Sequence, residues 1–182
     1  MKTLQDIGCP GKGNTGYDGR KGHNYLVVYD ALFFRLKDKE ISLLELGVHG
    51  GKSIEMWEQY FSKAKITGVD NWADGIRPTK QFEDRVRIMT ANIDEKIGDL
   101  FPETFDVIID DASHQLNHQM IAFEALHSKL REGGLYIIED INSDQRRDLL
   151  VAHLQNAGFK TMVFDNRPYT VWPDSMMIVA HK

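Results

Sequence analysis

The chain has 182 residues, 42% of them hydrophobic and 27% charged, and a formal net charge of −5. Single hydrophobic cores grow to about 250 residues before chains divide, so we expect one domain over residues 1–182. The negative balance disfavours nucleic acid as a partner. No run approaches the ~18 apolar residues of a membrane span, and the N-terminus lacks the apolar stretch of a secretory signal. A soluble, cytoplasmic protein with no membrane partner is predicted.

The predicted elements alternate between helix and strand. Residues 1–23 are rich in glycine, lack a hydrophobic period, and are expected to form a loop or arm. After them, apolar residues at helical spacing alternate with short apolar runs, which are typical of strands buried on both faces. Predicted helices cover residues 24–37, 53–61, 114–130 and 143–158. Predicted strands cover residues 41–46, 65–70, 85–89, 105–111 and 134–140.

The C-terminal part of the chain follows a different pattern. Two further strands, residues 159–165 and 175–181, are joined by a loop too short for a crossover helix, so they should pair antiparallel. Alternating strands and helices with right-handed crossovers give a doubly wound sheet. The predicted fold class is α/β, with a Rossmann-like, doubly wound and mostly parallel seven-stranded sheet that ends in an antiparallel hairpin.

Acidic residues lie at the carboxyl ends of four predicted strands, which is where ligands bind in an open parallel sheet. The first end, ELGVHGGKS at residues 45–53, joins an acid to a glycine-rich turn that lets the backbone approach a ligand closely. Asp70 ends the next strand, at the distance from Gly47 where an acid can accept both ribose hydroxyls. Together they indicate a nucleoside-type ligand. Capping of the following turn is the alternative role of Asp70.

A second group of acids follows two later strands, with Asp110 and Asp111 after one and Glu139 and Asp140 after the other. Sequential parallel strands are usually neighbours, so these carboxylates should converge. Crowded carboxylates raise each other's pKa and normally need a cation, and oxygen ligands favour Mg²⁺. In the alternative arrangement, one acid of each pair points away and caps a helix.

His114 follows Asp111 closely, and from there its side chain can reach a metal-bound group. A zinc site formed with His118 is the alternative, but no third histidine supports it. The combination suits transfer of a methyl group from a sulfonium to a hydroxyl. A divalent ion lowers the pKa of the hydroxyl, and a neutral His114 takes the proton. A vicinal diol, as in a sugar or a catechol, would chelate best.

Four segments, LLELGVHGGKSIEMW, ITGVDNW, FDVIIDDASH and GGLYIIEDI, together resemble the metal-dependent O-methyltransferases that modify macrolide sugars, of the mycinamicin and demethylmacrocin type. The resemblance covers about residues 23 to 140. It implies a class I methyltransferase fold, S-adenosylmethionine as the methyl donor, and Mg²⁺. The stretch His23-Asn24-Tyr25 resembles the part of that family that helps cover the donor.

The candidate site residues follow from these patterns and from the resemblance. The candidate catalytic residues are Asp111 and His114, with His114 as the general base. The candidate metal ligands are Asp111, Glu139 and Asp140. The candidate donor contacts are His23, Tyr25, Glu45, Gly47, His49, Gly51, Ser53, Asp70, Asn71, Asn92 and Asp110.

Two loops are expected to face the methyl acceptor, residues 71–82 and 165–174. Their candidate contacts with a sugar or an aromatic ring are Trp72, Arg77, Tyr169 and Trp172, for which loop anchoring is the alternative role.

The predicted function is Mg²⁺-dependent O-methylation of a hydroxyl on a small molecule or sugar. An NAD-dependent oxidoreductase is one alternative, because Asp70 also suits an NAD ribose, and a non-catalytic nucleotide-binding module is another. The sequence leaves open whether the protein forms a homo-oligomer.

Overall fold

A computed structural model describes residues 2–13, 22–72 and 82–182. Its strands are β1 (Ser42–Leu46), β2 (Lys65–Asp70), β3 (Val86–Thr90), β4 (Phe105–Asp110), β5 (Leu130–Ile138), β6 (Lys160–Asp165) and β7 (Met176–His181). Its α-helices are α1 (Leu4–Ile7), α2 (Leu26–Phe33), α3 (Lys52–Tyr60), α4 (Leu116–Leu126) and α5 (Asp144–Asn156). Short 3₁₀ turns cover Ile97–Leu100, His127–Lys129 and Arg167–Tyr169.

The seven strands form one sheet in the order β3-β2-β1-β4-β5-β7-β6. Pairing is parallel from β3 to β5, whereas β7 pairs antiparallel with both β5 and β6. The predicted doubly wound sheet with a terminal hairpin is therefore confirmed. The strand order reverses between β1 and β4, and the register pairs Leu46 with Asp110 and Asp110 with Ile138. The carboxyl ends of β1, β4 and β5 are therefore level with one another.

Helices cover both faces of this sheet. Side chains of α1, α2 and α3 pack on one face, and side chains of α4 and α5 pack on the other. The alternation of side chains along a strand sorts them between the two layers. On β4, Val107 and Ile109 belong to the α2–α3 layer, and Ile108 belongs to the α4–α5 layer. The same alternation decides which of the strand-end acids share a face.

Several expected element boundaries differ from the structure: β5 begins at Leu130 instead of residue 134, and α2 covers Leu26–Phe33 instead of residues 24–37. The arm contains one helical turn, α1, because Thr3 and Asp6 form a capping box and Leu4 is fully buried. The helix expected from residue 114 begins at Leu116, since His114 has φ 55°, a left-handed conformation that cannot start an α-helix.

Other boundaries agree closely with the sequence. Ser143 caps α5 by accepting a hydrogen bond from the backbone nitrogen of Arg146, and Gly158 follows the helix with φ 90°. Arg77, most of the 71–82 loop, and residues 14–21 of the arm lie outside the described residues. In the described part of the chain, no helix is long and apolar enough to cross a bilayer.

Candidate functional site

Two adjoining cavities open at the carboxyl edge of the sheet, with volumes of about 580 and 410 Å³. Both are lined by Gly47, Asp70 and Ala112. The predicted residues that line the larger cavity are His23, Gly47, His49, Ser53, Asp70, Asp111, His114, Glu139 and Asp140. Those that line the smaller cavity are Gly47, Asp70, Asn71 and Asn92. The remaining predicted residues, Tyr25, Glu45, Gly51 and Asp110, line neither cavity.

The turn after β1 is shaped by glycine. Gly47 has φ 83°, and a Cβ there would lie 2.1 Å from the carbonyl oxygen of Asp111, so no other residue fits without displacing the backbone. The carboxylate of Asp70 accepts hydrogen bonds from the backbone nitrogens of Val48 and His49, at 2.9 and 2.8 Å, and from Trp72 at 2.9 Å. Asp70 therefore caps the following turn, as in the alternative role, and also lines both cavities.

Glu45 lies beneath this turn. Its side chain is fully buried and accepts a 2.7 Å hydrogen bond from the Ser53 hydroxyl. Burial raises the pKa of its carboxyl, and the neighbouring ammonium of Lys12, 3.4 Å away, opposes that shift. Glu45 thus supports the wall of the cavity through Ser53 and Lys12 instead of lining it.

Strand alternation separates the two adjacent aspartates after β4. Asp111 faces the α2–α3 layer, together with Glu45 and Glu139, and it lines the larger cavity. Asp110 faces the opposite layer near Tyr136, and one of its carboxylate oxygens has no hydrogen-bond partner among the described residues. Burial there raises the pKa of Asp110 to about 7. The alternative in which one acid of a pair points away is observed for Asp110.

Asp111, His114 and Asp140 bring three potential ligand atoms within 4.8 Å of one another. The Nε2 atom of His114 is 3.3 Å from Asp111 Oδ1 and 3.5 Å from Asp140 Oδ2. Burial lowers the pKa of His114, but its hydrogen bond to Asp111 and the charge of Asp140 outweigh burial and raise the pKa to about 9. Burial raises the pKa of Asp140 to about 6. Two converging carboxylate oxygens beside a ring nitrogen fit a divalent cation.

Glu139 lies next to this group but outside it. Its Oε1 atom is 2.6 Å from the ammonium of Lys12 and also accepts a hydrogen bond from the hydroxyl of Tyr29. Burial is the main factor that raises the pKa of its carboxyl well above the ordinary value, and the charge of Asp111 adds to the shift. The third predicted metal ligand is therefore paired with an internal cation.

Lys12 lines the larger cavity and is a residue of this site that the sequence reasoning missed. It is 5% exposed, and its ammonium lies 2.5 Å from Asp111 Oδ2. Burial lowers its pKa, but attraction to Asp111, Glu139 and Glu45 is larger in sum and raises the pKa well above 10.5. The only sequence signal is a lysine between two glycines in the arm, CPGKGN, and that pattern has no periodicity to place it.

An aromatic wall, consisting of Tyr25, His23 and Trp172, borders the larger cavity, which His23 and Trp172 line while Tyr25 is buried behind them. The ring of His23 stacks on Tyr25 and on Trp172 at centroid distances of 5.3 and 5.8 Å. The Tyr25 hydroxyl donates a 2.9 Å hydrogen bond to Asp140 Oδ1, which is also 3.4 Å from His23 Nδ1. Trp172 lines the larger cavity, whereas Trp72 and Tyr169 are each 68% exposed and line neither cavity.

Backbone strain is concentrated at the same edge. In the described ranges, four residues other than glycine have positive φ: Asn24 (61°), His49 (47°), His114 (55°) and Asp140 (59°). Three of them line the larger cavity, and Asn24 lies between His23 and Tyr25 of the aromatic wall. Such conformations are unfavourable and cluster at functional sites. The strain therefore supports this edge as the functional site.

A family model described as a methyltransferase domain matches residues 44–141, more than half of the chain. That range includes the turn after β1, Asp70 and the acid group after β4 and β5. The chain belongs to this methyltransferase family, which favours a methyltransferase over the NAD-dependent alternative.

Curated relatives with similar sequences carry printed O-methyltransferase names. A tetracenomycin-C rhamnosyl 3'-O-methyltransferase from Streptomyces olivaceus is 34% identical over 65% of this chain and 32% of its own length. Mycinamicin VI 2''-O-methyltransferase from Micromonospora griseorubida is 32% identical over 65% of this chain and 32% of its own length. The chain thus spans about a third of the length of these relatives.

A solved structure of the MycE methyltransferase from the mycinamycin biosynthetic pathway, in complex with Mg, SAH and mycinamycin VI, is also similar. Its TM-score is 0.65 at 23% identity, and the match covers 87% of this chain and 50% of that one. This likeness supports the Rossmann-like methyltransferase fold.

Proposed function

We propose that this chain is an S-adenosylmethionine-dependent O-methyltransferase that methylates a hydroxyl of a sugar or another small molecule, with Mg²⁺ as a second cofactor, and that residues 1–182 act as one methyltransferase domain. One observation carries the proposal. A single cavity is lined by the Gly47–Asp70 turn and by the acid group of Asp111, His114 and Asp140. A methyl donor on the turn and an acceptor at the acid group would therefore meet in the same space.

The turn suits the nucleoside part of the donor. Asp70 accepts three hydrogen bonds from backbone nitrogens, two at Oδ2 and one at Oδ1. Because a carboxylate offers about four acceptor sites, Oδ1 can also accept a ribose hydroxyl. The 410 Å³ cavity beside it, lined by Asn71 and Asn92, has room for the base. The larger cavity would then hold the methionyl part, next to His49 and Ser53.

Asp111 and Asp140 would hold the Mg²⁺, because their oxygens converge near His114. The bound ion would supply Lewis acidity that lowers the pKa of the acceptor hydroxyl. The Tyr25 hydroxyl orients Asp140 from behind through its 2.9 Å hydrogen bond. Two relatives are named as O-methyltransferases of rhamnosyl-tetracenomycin compounds, which supports a sugar hydroxyl as the acceptor.

His114 would take the acceptor's proton at Nε2. In the free chain its pKa is raised to about 9 by Asp111 and Asp140, so it is protonated at neutral pH. Compensation of those two carboxylate charges would lower the pKa of His114 and make Nε2 available as a base. The donor would supply a methyl group on a sulfonium, whose carbon–sulfur bond would break with its electron pair going to sulfur as the oxygen–carbon bond forms. Nε2 of His114 would then hold the proton of the acceptor.

The aromatic wall supplies the acceptor surface. Trp172, stacked on His23, presents a ring to the larger cavity, where it can cover the apolar face of a sugar or an aromatic ring. The net charge of −5 supports a small-molecule acceptor over nucleic acid.

Calorimetric titration of the protein with S-adenosylhomocysteine and with NAD tests the donor assignment. We expect S-adenosylhomocysteine to bind with micromolar affinity and NAD to bind much more weakly, and tighter binding of NAD would refute the proposal. Transfer of a labelled methyl group to rhamnosides and catechols, with Mg²⁺ or with EDTA, tests the acceptor and the ion. Full activity in EDTA would exclude the metal-dependent mechanism while leaving the donor assignment intact.

A further inference from the structure

The ammonium of Lys12 lies among three carboxylates at the floor of the larger cavity. It is 2.5 Å from Asp111 Oδ2, 2.6 Å from Glu139 Oε1 and 3.4 Å from Glu45 Oε1. Its side chain is 6% exposed, and those of Glu139 and Glu45 are 1% and 0% exposed. A buried ammonium held this closely compensates the charge of the acids around it.

The backbone of the arm holds Lys12 in this position. Its carbonyl accepts a 2.7 Å hydrogen bond from the backbone nitrogen of Tyr25, and its neighbours Gly11 and Gly13 accept from His23 and Asn24, at 2.7 and 3.1 Å. A Cβ on Gly22 would lie 2.3 Å from the carbonyl oxygen of Gly13, so the two segments touch directly. The arm is therefore attached to the segment that precedes α2, and the side chain of Lys12 points toward the acid group.

Lys12 and the proposed ion need the same carboxylate. Asp111 turns Oδ2 toward Lys12 and Oδ1 toward His114, where the ion would bind. Glu139, which follows β5 immediately before Asp140, is engaged by Lys12 as well. Two cations on one side chain repel each other, and burial strengthens that repulsion because water screens it less.

We propose that Lys12 is a tethered cation that neutralises Asp111 and Glu139 in the absence of a metal ion and competes with a divalent cation for this acid group. The proposal rests on the metal site of the proposed function. The arm thereby sets the affinity of the site for its ion, and an ion that binds must draw Asp111 away from Lys12. Lys12 is a positioning residue, since it acts through Asp111 and Glu139.

Titration with Mn²⁺, followed by the electron paramagnetic resonance signal of the free ion, measures this competition directly. Lys12→Met removes the charge and should tighten Mn²⁺ binding by roughly tenfold or more, because repulsion between neighbouring buried charges is lost. Lys12→Arg keeps the charge and should bind Mn²⁺ about as the wild type does. Lys65→Met is the matched control, since Lys65 is an exposed lysine at the start of β2, and it should leave the affinity unchanged.

A merely structural role for Lys12 predicts a different pattern. Loss of packing would weaken Mn²⁺ binding in Lys12→Met, or shift both variants in the same direction. Either result would overturn the proposal, as would equal affinity in Lys12→Met and the wild type. Weaker binding of S-adenosylhomocysteine by Lys12→Met, with Mn²⁺ affinity unchanged, would assign Lys12 to the donor and would also overturn it.

The wild-type chain carries its own reporter of the arm, so the test does not depend on whether Lys12→Met folds. Cys9 is the only cysteine, is 6% exposed, and lies three residues before Lys12. We expect saturating Mg²⁺ to accelerate the reaction of Cys9 with a thiol reagent severalfold, because the ion releases Lys12 from Asp111. A rate that is unchanged or lower with Mg²⁺ would contradict the competition.

The two proposals fail in different ways. If the wild type binds Mn²⁺ and Asp140→Asn does not, the metal site stands whatever Lys12 does. If neither the wild type nor Lys12→Met binds Mn²⁺, the competition is wrong, and the donor assignment is still decided by S-adenosylhomocysteine binding.

Discussion

Gly47 and Asp111 meet so closely that a Cβ on Gly47 would lie 2.1 Å from the carbonyl oxygen of Asp111. The two residues belong to the turns after β1 and β4, the neighbouring strands between which the strand order reverses. Because Gly47 lines both cavities, the contact joins the proposed donor turn to the proposed acceptor group.

Substitution of Gly47 by alanine should therefore affect both halves of the site. The added methyl group must displace backbone, and φ 83° is unfavourable for alanine, so we expect a loss of about 1–3 kcal/mol in the free energy of unfolding. We also expect at least roughly tenfold weaker binding of S-adenosylhomocysteine. Gly50→Ala is the matched control, because no atom of the residues that the structure describes lies within 4 Å of a Cβ there. Equal effects of the two variants would contradict the role of the Gly47–Asp111 contact.

Asp70→Asn should weaken binding of the donor, although the two side chains have nearly the same shape. The amide has one acceptor oxygen in place of two and no charge, while Asp70 serves Val48, His49, Trp72 and the proposed ribose. Charge-assisted hydrogen bonds contribute about 1.5–3 kcal/mol each, so calorimetry should show binding of S-adenosylhomocysteine weakened by roughly 10- to 100-fold. Asp94→Asn is the control, since Asp94 also caps a turn, through the Lys96 nitrogen at 2.9 Å, and lines neither cavity. Unchanged affinity for S-adenosylhomocysteine in Asp70→Asn would show that the ribose does not bind at Asp70.

His114→Gln should impair the chemical step and spare donor binding. A general base typically contributes about 10²- to 10⁴-fold, so we expect kcat to fall within that range while the affinity for S-adenosylhomocysteine stays the same. His181→Gln, at the exposed end of β7, should have no effect. Retention of full kcat by His114→Gln would assign the proton to another acceptor.

Asp110 gives a prediction about pH and stability. Burial raises the pKa of Asp110 to about 7, above the ordinary value of 3.8, so the folded state binds more protons than the unfolded state between these values. The free energy of unfolding contributed by this group therefore falls as pH rises from about 4 to 7. Asp110→Asn removes that dependence. Measured by urea unfolding, the free energy of unfolding of the variant relative to that of the wild type should therefore be about 1–3 kcal/mol higher at pH 8 than at pH 5.

Asp106→Asn, on the same strand, is the contrast. Its carboxylate lies 2.6 Å from Arg131 and accepts a hydrogen bond from the backbone nitrogen of Ser42, so the substitution should reduce stability. A constant difference between Asp110→Asn and the wild type at all pH values would show that Asp110 ionises normally in the folded protein.

Much of the fold and part of the site could be predicted from local patterns. Apolar runs of five to seven residues predicted the parallel strands, and the short connection between the last two strands of the chain predicted the hairpin. Because the carboxyl ends of neighbouring parallel strands share an edge, the convergence of Asp111 with Asp140 followed from the same patterns. The proposed role of His114 followed from its position in the loop after β4. These features depend on residues close together in sequence or on rules that hold for any parallel sheet.

The sequence by itself therefore determined the sheet, its functional edge and the acids along it. The tertiary structure decided how those acids are used: Asp110 faces away, Glu139 pairs with Lys12, and Trp172 reaches the cavity while Tyr169 does not. Lys12 and Asp111 are 99 residues apart in the chain. A contact across that distance has no period and no local signal, because it exists only when the packed arm, α2 and the sheet hold the two side chains together.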